Sequence, residues 1–160
     1  FFMQKTAYEI PLRLVGSEMC IRDRLGANVP KPILKQFKNQ IHALNTIIEN
    51  GLISSCHDIS DGGMICALAE MTFENKIGCS IDYEETISIN AILFGETGGF
   101  IIEVENENMN QIKIELKEKG IEYVVIGKTT NSEKITFNDK INIDIETCFN
   151  AWTGGLREKL

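Results

Sequence analysis

The chain has 160 residues, enough for one domain with a short extension. Hydrophobic content of 43% and charged content of 24% exclude a disordered chain, and a net charge of −7 with lysines dispersed among glutamates excludes a nucleic-acid surface. No apolar run approaches the roughly 20 residues of a membrane span, so neither nucleic acid nor membrane is an expected partner. Five cysteines, Cys20, Cys56, Cys66, Cys79 and Cys148, lie far apart with no CxxC pair. That spacing argues against zinc and against a disulfide framework, and for buried thiols in a reducing, cytoplasmic compartment. No secretion or organelle signal is legible.

Residues 13–24, Arg13-Leu14-Val15-Gly16-Ser17-Glu18-Met19-Cys20-Ile21-Arg22-Asp23-Arg24, do not read like protein sequence. Back-translated, Glu18 to Arg24 can be written GAG ATG TGT ATA AGA GAC AG(N), which contains the transposon mosaic end of sequencing-library adapters. Val15-Gly16-Ser17, as GTG GGC TCG, continues that adapter upstream. A polar loop ending in a basic turn would explain the composition but not the codons. Residues 13–24 are therefore expected to be a translated adapter and are set aside from fold reasoning, with residues 1–12 of uncertain origin. Phe1, where a Met would stand, leaves the reading frame open at its start. The domain is expected over residues 25–160, as a C-terminal piece of a longer protein. Setting 13–24 aside removes three arginines and two acids, leaving the remainder slightly more acidic.

Leu25 to Pro32 reads as an extended lead-in, its two prolines disfavouring helix until Ile33. From Ile33 to Asn50, Leu34, Phe37, Ile41, Leu44 and Ile48 recur at spacings of three and four, which predicts a helix with that stripe in the core and His42 beside it or in solvent. Asn50-Gly51 stops it. Leu52 to Cys56 reads as a strand, and a helix follows from about Asp61 to Phe73. Ile77 to Tyr83 is a strand, Glu84 to Asn90 irregular, and Ile92 to Phe100 a glycine-rich turn. Phe100 to Val104 is a strand. Asn106-Glu107-Asn108 caps a helix through Lys119, with Met109, Ile112 and Leu116 on one face and Gly120 as its stop. Strands are expected over 121–127, 134–137 and 141–143, the last two around a turn at Asn138-Asp139, before a final helix to Trp152. The expected fold class is α+β, a mixed sheet with helices packed mainly on one face.

Two acidic, glycine-rich turns carry the chemistry. In Cys56-His57-Asp58-Ile59-Ser60-Asp61-Gly62-Gly63, the Asp58 and Asp61 carboxylates stand beside the unsatisfied N–H groups of a helix start; the N–H groups suit phosphate, and the carboxylates suit the Mg²⁺ that accompanies a nucleotide. Gly95-Glu96-Thr97-Gly98-Gly99 is the second turn. Each has a plain alternative. Asp61 could be the N-cap of its helix, Asp58 could make an Asx turn with Ser60, and the glycines could serve packing or a simple connection. His57, without a partner base, is poor ground for catalysis. The pairing of two such turns in one small sheet favours the functional reading.

The run His57 to Gly63, followed by Ala67-Leu68-Ala69-Glu70-Met71, Ile77-Gly78, Leu93-Phe94-Gly95-Glu96, Gly120-Ile121, Ile126-Gly127 and a last helix bearing Trp152, resembles the final domain of the phosphoribosylformylglycinamidine synthase family. The resemblance spans essentially all of residues 25–160 and implies an AIR-synthetase-related C-terminal domain. Relatives with similar turns include aminoimidazole ribonucleotide synthetase, selenophosphate synthetase, thiamine-monophosphate kinase and the hydrogenase-maturation dehydratase. The family activity it implies is an ATP-dependent carbon–nitrogen ligation of de novo purine biosynthesis. ATP with Mg²⁺ phosphorylates the amide oxygen of formylglycinamide ribonucleotide, and ammonia from a glutaminase subunit or domain displaces the phosphate to give the amidine. Carried onto this chain, the resemblance assigns Asp58 to metal, Asp61, Gly62 and Gly63 to nucleotide or phosphate, and Glu96 and Thr97 to substrate. It also implies a missing N-terminal AIR-synthetase-like domain as partner, without which the isolated chain is expected to be inactive. The family commonly follows the second-turn Glu with a run such as Ser-Gln-x-Arg; here Thr97-Gly98-Gly99-Phe100 is one residue shorter and lacks the arginine. The alternatives are a non-catalytic nucleotide-binding or scaffolding domain, or a domain of another enzyme of this superfamily.

Overall fold

The helical and alternating patterns resolve into five helices and seven strands among the described residues, 9–12, 34–82, 89–96 and 98–155, of a computed structural model. In chain order these are β1 (Glu9–Leu12), α1 (Leu34–Glu49), β2 (Ser55–Asp58), α2 (Gly63–Phe73), β3 (Gly78–Ile81), α3 (Ile89–Phe94), β4 (Phe100–Glu103), α4 (Met109–Glu118), β5 (Val124–Thr130), β6 (Lys134–Phe137), β7 (Ile141–Asp144) and α5 (Ile145–Gly154). The strands make one mixed sheet, ordered β2-β4-β1-β5-β3-β6-β7. Every pair is antiparallel except β3 with β6. The α+β class and the mixed sheet hold, but the helices do not gather mainly on one face: α2 and α3 pack with Ile101 of β4, and α1 and α4 with Ile102 on the opposite side. No helix among the described residues is long and apolar enough to cross a membrane.

Glu9–Leu12, set aside with residues 1–24 in the sequence reading, lies inside the sheet as β1, hydrogen-bonded to β4 and to β5. A proline in an interior strand removes a ladder donor and is tolerated at a bulge. Pro11 sits at one: Ile10 pairs with Gly127 and Pro11 with Val125, leaving Ile126 as the extra residue. A domain boundary at residue 25 therefore omits a strand that bridges the two halves of the sheet. Residues 13–33 and 83–88 lie outside the described residues.

The core divides across β4, whose alternate residues face opposite ways. Ile101 joins Met64, Ala67 and Leu68 of α2, Ile92 and Leu93 of α3, Ile126, Phe137 and Ile145 in the larger cluster. Ile102 and Val104 join Ala43 and Ile47 of α1 and Met109, Ile112 and Leu116 of α4 in the smaller one. On α4 the predicted apolar face is the buried one. On α1 it is not: Gln40, Ala43 and Ile47 are buried, while Leu34, Phe37, Ile41 and Ile48 are exposed. Periodicity identifies a stripe but not the side on which the sheet lies. The helix buries Ala43 and Ile47; of the predicted stripe, Leu44 is half-buried against the smaller cluster and Phe37 stacks on Phe100, while Leu34, Ile41 and Ile48 face outward. His42 is exposed, as expected.

Other boundaries moved. β2 starts three residues later than the Leu52 of the sequence reading, because Leu52 is buried in the loop after α1 and packs in the smaller cluster. α2 begins at Gly63 rather than Asp61, and residues 89–94 form a short helix rather than irregular chain and turn. Of the four described cysteines only Cys79 is buried; Cys66 and Cys148 are half-buried and Cys56 is exposed, so the expectation of buried thiols fails for three of them. The turn at Asn138-Asp139 forms as read, with φ of 43° and 53°.

Ile47→Ala, at 1% exposure, is expected to destabilise by about 2–5 kcal/mol, whereas Leu34→Ala, at 77%, changes stability by less than about 0.5 kcal/mol. Urea denaturation measures both, and comparable losses would contradict the orientation of α1. Burial, reinforced by the Cys148 thiol, pushes the Cys79 thiol from 9.0 to about 12. The unfolded chain then loses this proton at lower pH than the folded one. Its contribution is intact below pH 9 and is lost as pH climbs toward 12, so Cys79→Val should show a shallower alkaline decline in unfolding free energy.

Candidate functional site: two glycine-rich turns at one sheet edge

β2 runs antiparallel to β4 with Asp58 opposite Phe100 and Ser55 opposite Glu103. The end of one strand therefore lies beside the start of the other, and the turns that follow β2 and precede β4 meet. The Ile59 N–H donates to Gly99 O at 2.9 Å, joining them through the backbone. Five of the residues singled out in the sequence, Asp58, Asp61, Gly62, Gly63 and Glu96, belong to these adjoining turns. Thr97 lies outside the described residues.

Gly62, not Asp61, is the N-cap of α2, with φ +83°, and having no side chain it supplies no cap of its own. Its N–H donates instead to Glu96 Oε1, 2.8 Å away and 34 residues on. The Gly63 N–H donates to Ser60 O at 3.0 Å. Two donors expected to be open to phosphate are thus engaged by the chain's own oxygens. Gly63, at φ +72°, also meets the end of α3: a Cβ there would lie 2.6 Å from Leu93 O and 2.8 Å from Phe94 Cα. Both glycine conformation and close backbone approach are required at this position. Asp61 is exposed just outside the helix.

Strand alternation places His57 toward α2 and Asp58 on the opposite face with its cross-strand partner Phe100. His57 does have a partner, which the sequence did not reveal. Its Nε2 lies 3.2 Å from Glu70 Oε2, and its Nδ1 lies 2.6 Å from Asp58 O and 3.6 Å from Asp58 Oδ1. A neutral ring has one N–H for these acceptors; a protonated ring donates to both Glu70 and the Asp58 carbonyl. Glu70 reaches His57 because α2 folds back along β2. The only signal for this was a carboxylate thirteen residues after a histidine, which has no meaning without the fold. Cys66 sits against Gly62, where a Cβ would meet its Sγ. Burial pushes its thiol up, and the nearby Glu70 and Glu96 carboxylates push it further.

Among the described residues no three His, Cys, Asp or Glu side chains converge as a metal cage. Asp58 offers one exposed carboxylate. That donor set fits Mg²⁺ held mainly by waters and phosphate oxygens, and does not fit a site built wholly of protein ligands.

A mixed α+β sheet carrying this pair of joined turns is the class of domain to which the sequence and geometry lead. The chain belongs to the family described as AIR synthase related protein, C-terminal domain, whose model matches residues 15–140. It is 30% identical over 157 residues to the phosphoribosylformylglycinamidine synthase subunit PurL of Thermus thermophilus, covering 96% of this chain and 20% of that protein. It is 31% identical over 156 residues to PurL of Aquifex aeolicus, covering 93% and 21%. The fold superposes on PurLQS from Thermotoga maritima with a TM-score of 0.71 at 16% identity, over 88% of this chain and 25% of that one. T. maritima PurL complexed with FGAR and with ATP aligns at TM-scores of 0.67 and 0.65, with 12% and 14% identity, over 88% of this chain and 27% and 25% of those. The chain spans about a fifth of the length of the curated relatives it matches.

Gly63→Ala combines left-handed strain with overlap on the α3 backbone and should cost more than about 2 kcal/mol. Gly98→Ala, at φ +78° with nothing within 4 Å, carries only the strain, about 1–2 kcal/mol. Equal losses in chemical denaturation would show that the α2–α3 approach is not tight.

Proposed function

We propose that the chain is a C-terminal domain of a phosphoribosylformylglycinamidine synthase, an ATP-dependent carbon–nitrogen ligase of purine biosynthesis acting in the cytoplasm. The observation that carries this reading is the joining of the two turns by the Gly62–Glu96 bond in a chain about 30% identical to PurL. Bound Mg·ATP supplies the phosphoryl group that activates the amide oxygen of formylglycinamide ribonucleotide for displacement by ammonia. In this chain Asp58 would hold the metal, Asp61, Gly62 and Gly63 would contact nucleotide or phosphate, and Glu96 and Thr97 would face the substrate. The complexes of T. maritima PurL with FGAR and with ATP support the two ligand classes.

The partners on this reading are an N-terminal AIR-synthetase-like domain and a glutaminase that delivers ammonia. Leu34, Phe37, Ile41 and Ile48 on α1, with Phe94 beside the second turn, are exposed apolar side chains that a covering domain would bury, which supports the first partner. A second reading, a non-catalytic scaffold, is favoured by the internal engagement of the Gly62 and Gly63 N–H groups. Residues 13–24 remain, on a back-translation that matches the mosaic end, a proposed adapter; a gene sequence uninterrupted by the mosaic end between β1 and α1 would support that origin, and one that carries it would refute it.

Purified 160-residue chain should give no amidine from formylglycinamide ribonucleotide, Mg·ATP and ammonia, and measurable turnover would refute the need for a further domain. In the full-length protein carrying this chain, Asp58→Asn should lower kcat at least about tenfold, the scale of one lost transition-state contact of about 1.4 kcal/mol. An unchanged kcat with an intact fold would sink the catalytic reading and favour the scaffold.

A further inference from the structure

We infer that Glu96 is a positioning residue, a latch that holds the second turn against the start of α2 by accepting the Gly62 N–H. The inference begins with a deficit. α2 opens on two glycines, has no acidic residue in its first turn, and receives no side-chain cap from its N-cap residue. First-turn donors of a helix need an acceptor from outside it, and the positive end of the helix dipole favours an anionic one. Glu96 Oε1, at 2.8 Å from Gly62 N, supplies both from a different turn. A carboxylate accepting from a backbone N–H is a charge-assisted bond, stronger than its neutral counterpart.

The surroundings make this bond a coupling device. The two turns are already tied on the other side by the Ile59–Gly99 backbone bond. Gly63 abuts Leu93 and Phe94, the residues that lead into Gly95 and Glu96. Glu96 thus closes a ring made of the β2 end, the α2 start and the chain between α3 and β4. One carboxylate oxygen is committed to Gly62, and the side chain is otherwise exposed. A ligand that engages Glu96 from solvent acts on the α2 terminus through it, and an anion at Gly62 must displace it. This link to a ligand rests on the reading of the preceding subsection; the latch does not.

The test is a pH titration of the ¹⁵N-labelled 160-residue chain followed at the Gly62 amide. Acid sufficient to protonate Glu96 should weaken its bond to Gly62 and move the Gly62 proton resonance upfield, with smaller movements at Ile59 and Gly99. Asp58, Asp61 and Glu70 are further carboxylates around the two turns, so Glu96→Gln is the deciding comparison: it keeps an acceptor of similar length but removes the ionisable group. Loss of the Gly62 titration in Glu96→Gln, with Asp61→Asn retaining it, supports the latch. A Gly62 amide that does not titrate, or titrates equally in Glu96→Gln, overturns it. Inorganic phosphate and Mg·ATP are then added to the wild-type chain. If neither moves a Gly62 resonance that responds normally to pH, the latch stands and the Gly62 N–H is not an open phosphate donor in the chain on its own.

Discussion

The antiparallel register of β2 on β4 is the constraint on which the site depends. With Asp58 opposite Phe100, the segment leaving β2 and the segment entering β4 emerge at one edge and must pass each other. Turns separated by tens of residues then share hydrogen bonds at Ile59–Gly99 and Gly62–Glu96. A slip of one residue would send His57 to the wrong face and remove Glu70 as its partner, because alternation along a strand has period two. The β3–β6 and β6–β7 pairings have no comparable consequence for these residues; they close the other end of the sheet.

Glycine placement follows from the same crowding. At Gly63 the backbone needs a positive φ and α3 leaves no space for a Cβ, whereas at Gly98 only the backbone conformation matters. Two glycines that look alike in the sequence therefore do different things. Gly63 lets α2 start hard against α3, which fixes the length of the bridge that Glu96 must span. The sequence reading of Gly62 and Gly63 as open phosphate donors did not anticipate that the chain's own oxygens occupy both N–H groups.

Local signals were legible where a single element decides them. The apolar face of α4, its stop at Gly120 and the Asn138-Asp139 turn depend on spacing and backbone preference, and each formed as read. The adjoining of the two turns was anticipated only as a pairing of like motifs. Failures cluster where the answer lies in another element. Nothing within α1 says that Ala43 and Ile47, not Leu34 and Ile41, meet the sheet. Nothing within His57 to Gly63 says that Glu70 returns to the histidine. β1 was missed because residues 1–12 were set aside together with the adapter-like stretch that follows them, and the bulge that receives Pro11 is formed by β5, more than a hundred residues on. Cysteine burial was read from composition, which cannot distinguish Cys79 in the core from Cys56 at the surface.

The outward stripe of α1 and the acidic turn are connected through one aromatic pair. Phe37 stacks on Phe100 at a centroid distance of 6.2 Å and an interplanar angle of 24°. Phe100 in turn stands across from Asp58. Apolar side chains exposed along a helix lose little by being there singly but gain by being covered together, at about 25 cal/mol per Å² removed from water. A body that covered this stripe would lie over Phe37 and so reach Phe100, the residue across from Asp58. This gives the proposed partnership with an N-terminal domain a physical route to the site.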